Sequence, residues 1–197
     1  MCKWSKRLKN LIFTQRYLIM GMKLDAPVAT NALDSSGEIL SIKGLDITDF
    51  LEGRAVANWE HSNTSEDGAV GRFIYAKKIF SEADCDNDRQ LAFWNQLKHE
   101  FLYAVVELFD EEGHPGATAI AAMVRYFLKR KDKIRIGMSI EGSTLERDGH
   151  LLNRAVARKA AITLTPCNKE CWVEFFGDQD QMPISKTESV EVADFEL

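Results

Sequence analysis

The chain has 197 residues, of which 45% are hydrophobic and 28% charged, so it holds enough apolar material for one domain with a buried core. This composition excludes general disorder, and the sequence has no apolar stretch of about 18 residues that could span a bilayer. The net charge of −5 comes from 25 Lys and Arg against 30 Asp and Glu. An acidic chain is not built to neutralise phosphates, so we expect neither nucleic acid nor a membrane as a partner.

The two ends of the chain carry opposite charge. Residues 1 to 24 hold six basic side chains and no acid, and their short apolar run does not fit a signal peptide. From Glu170 to the C-terminus, eight acids accompany one lysine. We therefore predict a basic N-terminal extension at 1-27, a folded domain at 28-173 and an acidic, flexible tail at 174-197.

The folded domain is predicted to begin with β structure and to continue with helices and strands. Polar turns precede the first β-type runs, and later apolar runs have helical spacing or the density of a buried strand. In chain order the predicted elements are a strand at 39–42, a helical turn at 46–51, a strand at 70–75, a helix at 89–98, a strand at 101–109 and a helix at 117–129.

The segment from Ile134 to Pro166 has the pattern of a long β-hairpin. Apolar and polar side chains alternate along its first strand, and Asp148-Gly149 is a dipeptide favoured in two-residue hairpin turns. With those two residues as the loop, Ser139 faces Arg158 across the strands. A slip of one residue changes every partner, so this pairing depends on the position of the turn.

Two blocks, 58–62 and 137–143, contain the residues whose side chains are best suited to catalysis. A serine attacks a carbonyl only when a base takes its proton, and histidine is the usual base. His61 and Ser139 are candidates for such a pair. Backbone N–H groups after Ser139, with the guanidinium of Arg158, are candidates for holding an oxyanion.

The same blocks allow a plainer interpretation. His61 can be a hydrogen-bonded structural histidine, and the glycines around Ser139 can mark bulges or close backbone approaches in a strand. Gly137, Ser139 and Gly142 also do not form the G-x-S-x-G motif, so an α/β-hydrolase is not indicated.

Five short blocks follow one another in a specific order along two-thirds of the chain. They are Asp34-Ser-Ser-Gly-Glu-Ile-Leu, Asn58-Trp-Glu-His-Ser, Glu107-Leu-Phe-Asp, Gly137-Met-Ser-Ile-Glu-Gly-Ser and Ala160-Ala-Ile-Thr-Leu-Thr-Pro-Cys-Asn. In these blocks the chain resembles the prohead maturation serine proteases of tailed bacteriophages, a family similar in fold to the herpesvirus assemblin proteases.

The resemblance implies an α+β fold, a mostly antiparallel β-barrel flanked by helices, with the catalytic histidine and serine on barrel strands. The family's histidine falls on His61 and its nucleophile on Ser139, with Ser143 as the rival nucleophile. The third catalytic residue stays unassigned, because related enzymes carry an acid where this chain reads Arg158-Lys-Ala-Ala. Glu60, Glu141 and Asp148 are the acids considered for orienting His61.

The function that follows is a serine endopeptidase that matures phage capsids. Its expected substrates are the scaffold or core protein and the major capsid protein, with itself as a further substrate and the portal as a further partner. We expect it inside assembling proheads in the host cytoplasm, as a homodimer or higher oligomer, with no cofactor. The alternative is a catalytically inactive capsid-assembly or scaffolding module of the same fold.

The four cysteines, at positions 2, 85, 167 and 171, are too few and too uneven for a disulfide framework and favour a reducing compartment. Cys167 and Cys171 with His114 or His150 fall short of a structural zinc site, because no second cysteine pair is present. His114, just before Pro115 at a predicted helix start, is expected to have a capping or loop role and not a catalytic one. We expect no metal.

Overall fold

A computed structural model of the chain describes residues 21–62, 68–109, 114–130 and 134–177. Most of the predicted basic extension and of the predicted acidic tail lies outside these residues. The described sheet begins at Lys23 and its last strand ends at Gly177, so it reaches beyond the predicted bounds of the folded domain, 28-173, on both sides.

The described residues form nine strands and three α-helices. The strands are β1 Lys23–Thr30, β2 Ile39–Leu40, β3 Leu45–Asp46, β4 Val56–Trp59, β5 Ala69–Ile79, β6 Phe101–Leu108, β7 Gly137–Asp148, β8 Leu151–Thr163 and β9 Phe175–Gly177. The helices are α1 Thr48–Leu51, α2 Asp88–Leu97 and α3 Pro115–Leu128, with a 3₁₀ turn at Glu82–Asp84.

β8 organises one end of the sheet. One of its edges pairs antiparallel with β7, and its other edge takes β4, β3 and β2, all parallel to it. From β4 the sheet continues through β5, β6 and β1 to β9. The fold is therefore α+β, as expected, but the sheet is mixed and curls into a half-barrel, so a mostly antiparallel barrel is not confirmed.

The half-barrel has an open seam. β1 and β7 lie side by side without forming a ladder, so the curled sheet does not close between them. The segment after β8 bridges one end of this seam, where Gly137 pairs with Trp172 and Met138 N–H donates to the carbonyl of Cys171 at 2.8 Å.

Alternate residues of β6 supply two apolar cores. Leu102, Ala104 and Val106 belong to the main core, which also takes the buried face of α3, whereas Phe101 and Tyr103 pack with α2 on the opposite face of the sheet. A strand with both faces covered must be apolar along its whole length, which explains the dense run predicted there.

The predicted hairpin is present, but the register predicted for it is wrong. Asp148 pairs with Leu151, so the loop is Gly149-His150 rather than Asp148-Gly149. Gly149 has φ of +56° while His150 does not have positive φ, which is the arrangement that a first-position glycine provides in type II′ turns. Bulges further along the strands shift the pairing again, and Ser139 pairs with Ala161 instead of Arg158.

Candidate active site

Three neighbouring strands bring the two sequence blocks together. Ala161 of β8 pairs with Ser139 of β7 on one side and with Asn58 of β4 on the other. Paired residues project to the same face of a sheet, and the strands lie about 4.8 Å apart, so Ser139 and Asn58 are separated by about 10 Å across β8. The small methyl group of Ala161 leaves room above β8 for longer side chains.

Glu141 occupies this space. It lies two residues after Ser139 on the same face of β7, and its Oε1 is 3.1 Å from Nδ1 of His61. The same Oε1 accepts a hydrogen bond from Nδ2 of Asn58 at 2.8 Å, while Oε2 forms an ion pair with Nζ of Lys159 at 3.1 Å. The acid beside His61, which the sequence left open among three candidates, is therefore Glu141.

The other two acids are engaged elsewhere. Glu60 accepts hydrogen bonds from the hydroxyl of Thr163 at 2.8 Å and from the N–H of Leu164 at 2.7 Å, so its carboxylate holds the end of β4 against the end of β8. Asp148 is the last residue of β7, paired with Leu151 next to the turn, and not the loop residue that the sequence predicted.

His61 lies in a turn just after β4, not on a strand as the resemblance implied. Glu60 and His61 have φ of +49° and +58°, a left-handed conformation that costs non-glycine residues about 1 kcal/mol or more each. The two hydrogen bonds to Glu60 fix this turn, and the turn directs the imidazole back over the sheet toward Glu141. Strain of this kind concentrates at functional sites.

Ser139 is 5% exposed and lines a cleft of about 270 Å³ in the seam. The opposite wall comes from the end of β1, including Thr30, from the loop after β1 that contains Asp34 and from the segment after β8 that contains Asn168. Ser139 has no side-chain hydrogen bond to any residue that the structure describes, and its hydroxyl is not hydrogen-bonded to His61. Such bonds are often long in unliganded enzymes and tighten when substrate binds.

The edge of β7 beyond Ser139 faces this cleft. Ile136 and Met138 direct their backbone groups across the seam, so the alternation of a strand directs the N–H and C=O of Ile140 and Gly142 to the same side. Among the described residues, none forms a backbone hydrogen bond with Ile140 or Gly142 on that side. A row of donors and acceptors is therefore open to an extended chain.

Ser143, the rival nucleophile, is exposed and lies on the far side of Glu141 from Ser139. The backbone of Glu60, next to His61, donates to the carbonyl of Ile162, so the imidazole approaches Glu141 from the Ser139 end of the hairpin. The geometry therefore favours Ser139.

The predicted pairing of Arg158 with Ser139 is wrong. Glu141 pairs with Lys159 and Gly142 with Ala157, which leaves Arg158 as the extra residue of a bulge, where it is exposed. The cation at the site is its neighbour Lys159, bound to Glu141. A role of Arg158 in binding an oxyanion stays a prediction, without the strand pairing on which it was based.

Glu141 is held in its ionised form. Partial burial opposes ionisation, but hydrogen bonds from Asn58 and Lys159 and the charges of Lys159 and His61 outweigh it and lower the pKa of Glu141 below its usual value. A carboxylate that stays charged can hold the N–H of an imidazole and stabilise an imidazolium.

The glycines of the serine block have packing reasons of their own. A Cβ on Gly142 would lie 1.8 Å from the carbonyl oxygen of Val156, and one on Gly137 would lie 2.6 Å from the ring of Pro166. The plainer interpretation is therefore confirmed: Gly142 lies at a bulge with a close backbone approach, and Gly137 lies where a side chain would meet Pro166, so neither glycine is by itself a sign of catalysis.

The other residues considered as sites are not grouped into a second candidate site within the described ranges. His114 caps α3, where its Nδ1 accepts the N–H of Ala117 at 3.1 Å, as predicted. Within the four described ranges, no three side chains of His, Cys, Asp or Glu are grouped as a metal ion would require. No helix in those ranges has the length and hydropathy needed to cross a membrane.

Comparisons of the chain with protein-family models, with curated proteins and with solved structures found no match. The case for a function therefore depends on the site itself.

Proposed function

We propose that the protein is a serine endopeptidase with Ser139 as nucleophile, His61 as general base and Glu141 as the acid that orients His61. The observation that carries this proposal is the 3.1 Å contact between Glu141 Oε1 and His61 Nδ1, made two residues from Ser139 on the same face of β7. Glu141 fixes the proton of the imidazole on Nδ1, which leaves Nε2 with a lone pair for the serine hydroxyl.

The reaction would proceed in two halves. Nε2 of His61 takes the proton of Ser139 as Oγ attacks the scissile carbonyl, and the imidazolium then protonates the leaving amine. In the second half, Nε2 takes a proton from water, which attacks the acyl-enzyme, and the proton returns to Oγ as the acid product leaves. The N–H of Ile140 is directed toward the cleft and would donate to the oxyanion in both halves.

The proposed substrate is an extended polypeptide lying along the edge of β7. The open backbone groups of Ile140 and Gly142 can pair with it as a further strand, which presents its carbonyl next to Ser139. Strand pairing binds the main chain irrespective of side chains, so sequence preference would come from the walls of the cleft.

The finer proposal is that this peptidase matures phage proheads, as the ordered sequence blocks suggest. On this proposal the half-barrel is a form of the assemblin barrel, the substrates are scaffold or core protein, major capsid protein and the enzyme itself, and the portal is a further partner. The enzyme would act as a homodimer or higher oligomer inside proheads in the host cytoplasm. The α+β half-barrel and the position of Ser139 on one of its strands are compatible with it.

The test is co-expression of the chain with the scaffold and major capsid proteins encoded in the same genome, read by intact-mass spectrometry. We expect defined cleavage products with the wild type and with Ser143→Ala, and none with Ser139→Ala or His61→Ala. Intact partner proteins with the folded wild type would reject the maturation role and favour an inactive assembly module.

A further inference from the structure

Two buried polar side-chain atoms have no hydrogen-bond partner among the described residues, Oδ1 of Asp25 and Oδ1 of Asn58. Only the second lies at the candidate site. Asn58 is 3% exposed, and a buried amide oxygen without a donor loses the hydrogen bonds that water would give it. An unpaired group of this kind calls for an explanation.

The explanation lies in what the other end of the amide does. A carboxylate only accepts hydrogen bonds, so Nδ2 of Asn58 has to face Glu141, and Oδ1 is then directed away into a buried space where no described residue offers a donor. The orphaned oxygen is a consequence of the contact with Glu141. An apolar side chain of similar size would fill the position without this penalty.

The carboxylate of Glu141 is bound from two sides. Lys159 binds Oε2 at 3.1 Å from within the sheet, while His61 and Asn58 share Oε1. His61 is 44% exposed and lies in a turn, whereas Asn58 is fixed in β4. Without Asn58, rotation of the carboxylate toward Lys159 would withdraw Oε1 from the imidazole.

We propose that Asn58 is a positioning residue that holds Oε1 of Glu141 on Nδ1 of His61 and so sets the tautomer of the imidazole. The catalytic consequence rests on the proposed peptidase function. The structural consequence does not, because the tautomer can be measured in a protein without any substrate.

The experiment uses ¹⁵N NMR of the histidine side chains in the full chain at a pH where the imidazoles are neutral. We compare the wild type with Asn58→Ala and with Asn58→Leu, which keeps the bulk and lacks the amide. Asn153→Ala is the matched control, because Asn153 lies on β8 of the same hairpin and forms no side-chain hydrogen bond within the described ranges.

We expect the wild type and the control to carry the His61 proton on Nδ1, and both Asn58 variants to show a mixture of tautomers. The kcat for peptide cleavage should fall about 10- to 100-fold in the Asn58 variants with KM little changed, as for other residues that orient a catalytic group. Asn58→Leu should fold, since it removes the unpaired oxygen.

The wild type supplies an independent reading. Acid titration should move the side-chain amide resonances of Asn58 together with the carboxyl resonance of Glu141. Unchanged tautomers in both variants, or amide resonances that do not follow Glu141, would overturn the proposal. A wild type without peptidase activity would reject the proposed function, while the tautomers would still decide the role of Asn58.

Discussion

The carboxylates of Asp25 and Glu141 lie on the same sheet but in different surroundings. The comparison shows how an acid that stabilises the fold differs from one that can take part in catalysis. Asp25 of β1 is fully buried, where it accepts hydrogen bonds from Tyr103 at 2.7 Å and from Arg89 at 3.0 Å. Burial raises the pKa of Asp25, and those hydrogen bonds only partly offset it. Glu141 also has several donors, but it is partly exposed and its pKa is lowered.

The difference teaches that the number of donors does not by itself define a site. Asp25 binds Arg89 of α2 and the buried Tyr103 of β6, so these three side chains join α2 to the sheet. Glu141 contacts an exposed histidine in a strained turn beside an open cleft. Access to solvent and a neighbour that can exchange protons distinguish the second carboxylate.

The largest expected effect comes from Glu141→Gln. The amide keeps the shape of the side chain but presents no negative charge to the imidazole, so kcat should fall by on the order of 10⁴, the loss seen when a triad acid is neutralised. Peptide hydrolysis kinetics check this, with Asp25→Asn as the matched control. Equal losses in both variants would remove the distinction between the two carboxylates.

Asp25→Ala should affect stability instead. The substitution removes the ion pair of Asp25 with Arg89 and the buried acceptor of the Tyr103 hydroxyl, and breaking a buried pair of this kind costs about 3 kcal/mol. Urea unfolding should show this loss, whereas the activity per folded molecule stays at the wild-type level. A large loss of activity without a loss of stability would assign Asp25 to the site.

The two carboxylates should also give stability profiles of opposite slope in acid. The pKa of Glu141 is lowered, so its contribution is present above the usual value of 4.5 and is lost as the pH falls through the folded pKa. The pKa of Asp25 is raised from 3.8, so its contribution is present at lower pH and is lost as the pH rises through the folded pKa.

Unfolding free energies of the wild type, Glu141→Gln and Asp25→Asn, measured between about pH 3 and pH 6, check these slopes. The wild type should gain stability over Glu141→Gln as the pH rises and lose its advantage over Asp25→Asn. Parallel curves for the two variants would contradict the assigned environments.

The smallest effect should come from Ser143→Ala. Ser143 is exposed and lies beyond Glu141. We therefore expect kcat/KM to change by less than about twofold and the free energy of unfolding by less than about 0.5 kcal/mol. A loss comparable to that of Ser139→Ala would move the nucleophile.

Much of this fold could be predicted from patterns in the sequence. The hairpin, the strand β6, the helices α2 and α3 and the cap at His114 each have a local signature in the order of residues. β1 was missed altogether, because the buried polar residues Lys23 and Asp25 interrupt the apolar pattern of a fully buried strand. The two-residue strands β2 and β3 are too short to show a period.

Of the candidate site, the sequence predicted His61 and Ser139 but could not select the acid that accompanies them. His61 and Ser139 stand in recognisable blocks, but the choice of Glu141 depends on a contact across 80 residues of sequence and on the register of the hairpin. That register depends on three bulges and on which residue of the turn adopts positive φ. Neither is encoded by alternation of polar and apolar side chains.

The most direct test of the central claim is labelling of the intact chain with a fluorophosphonate, which reacts with serines activated by a neighbouring base. Peptide mapping by mass spectrometry then locates the label. We predict a single adduct on Ser139 in the wild type, strongly reduced in His61→Ala and Glu141→Gln and absent in Ser139→Ala. A folded wild type that takes no label, or a label that persists in Ser139→Ala, would contradict the account.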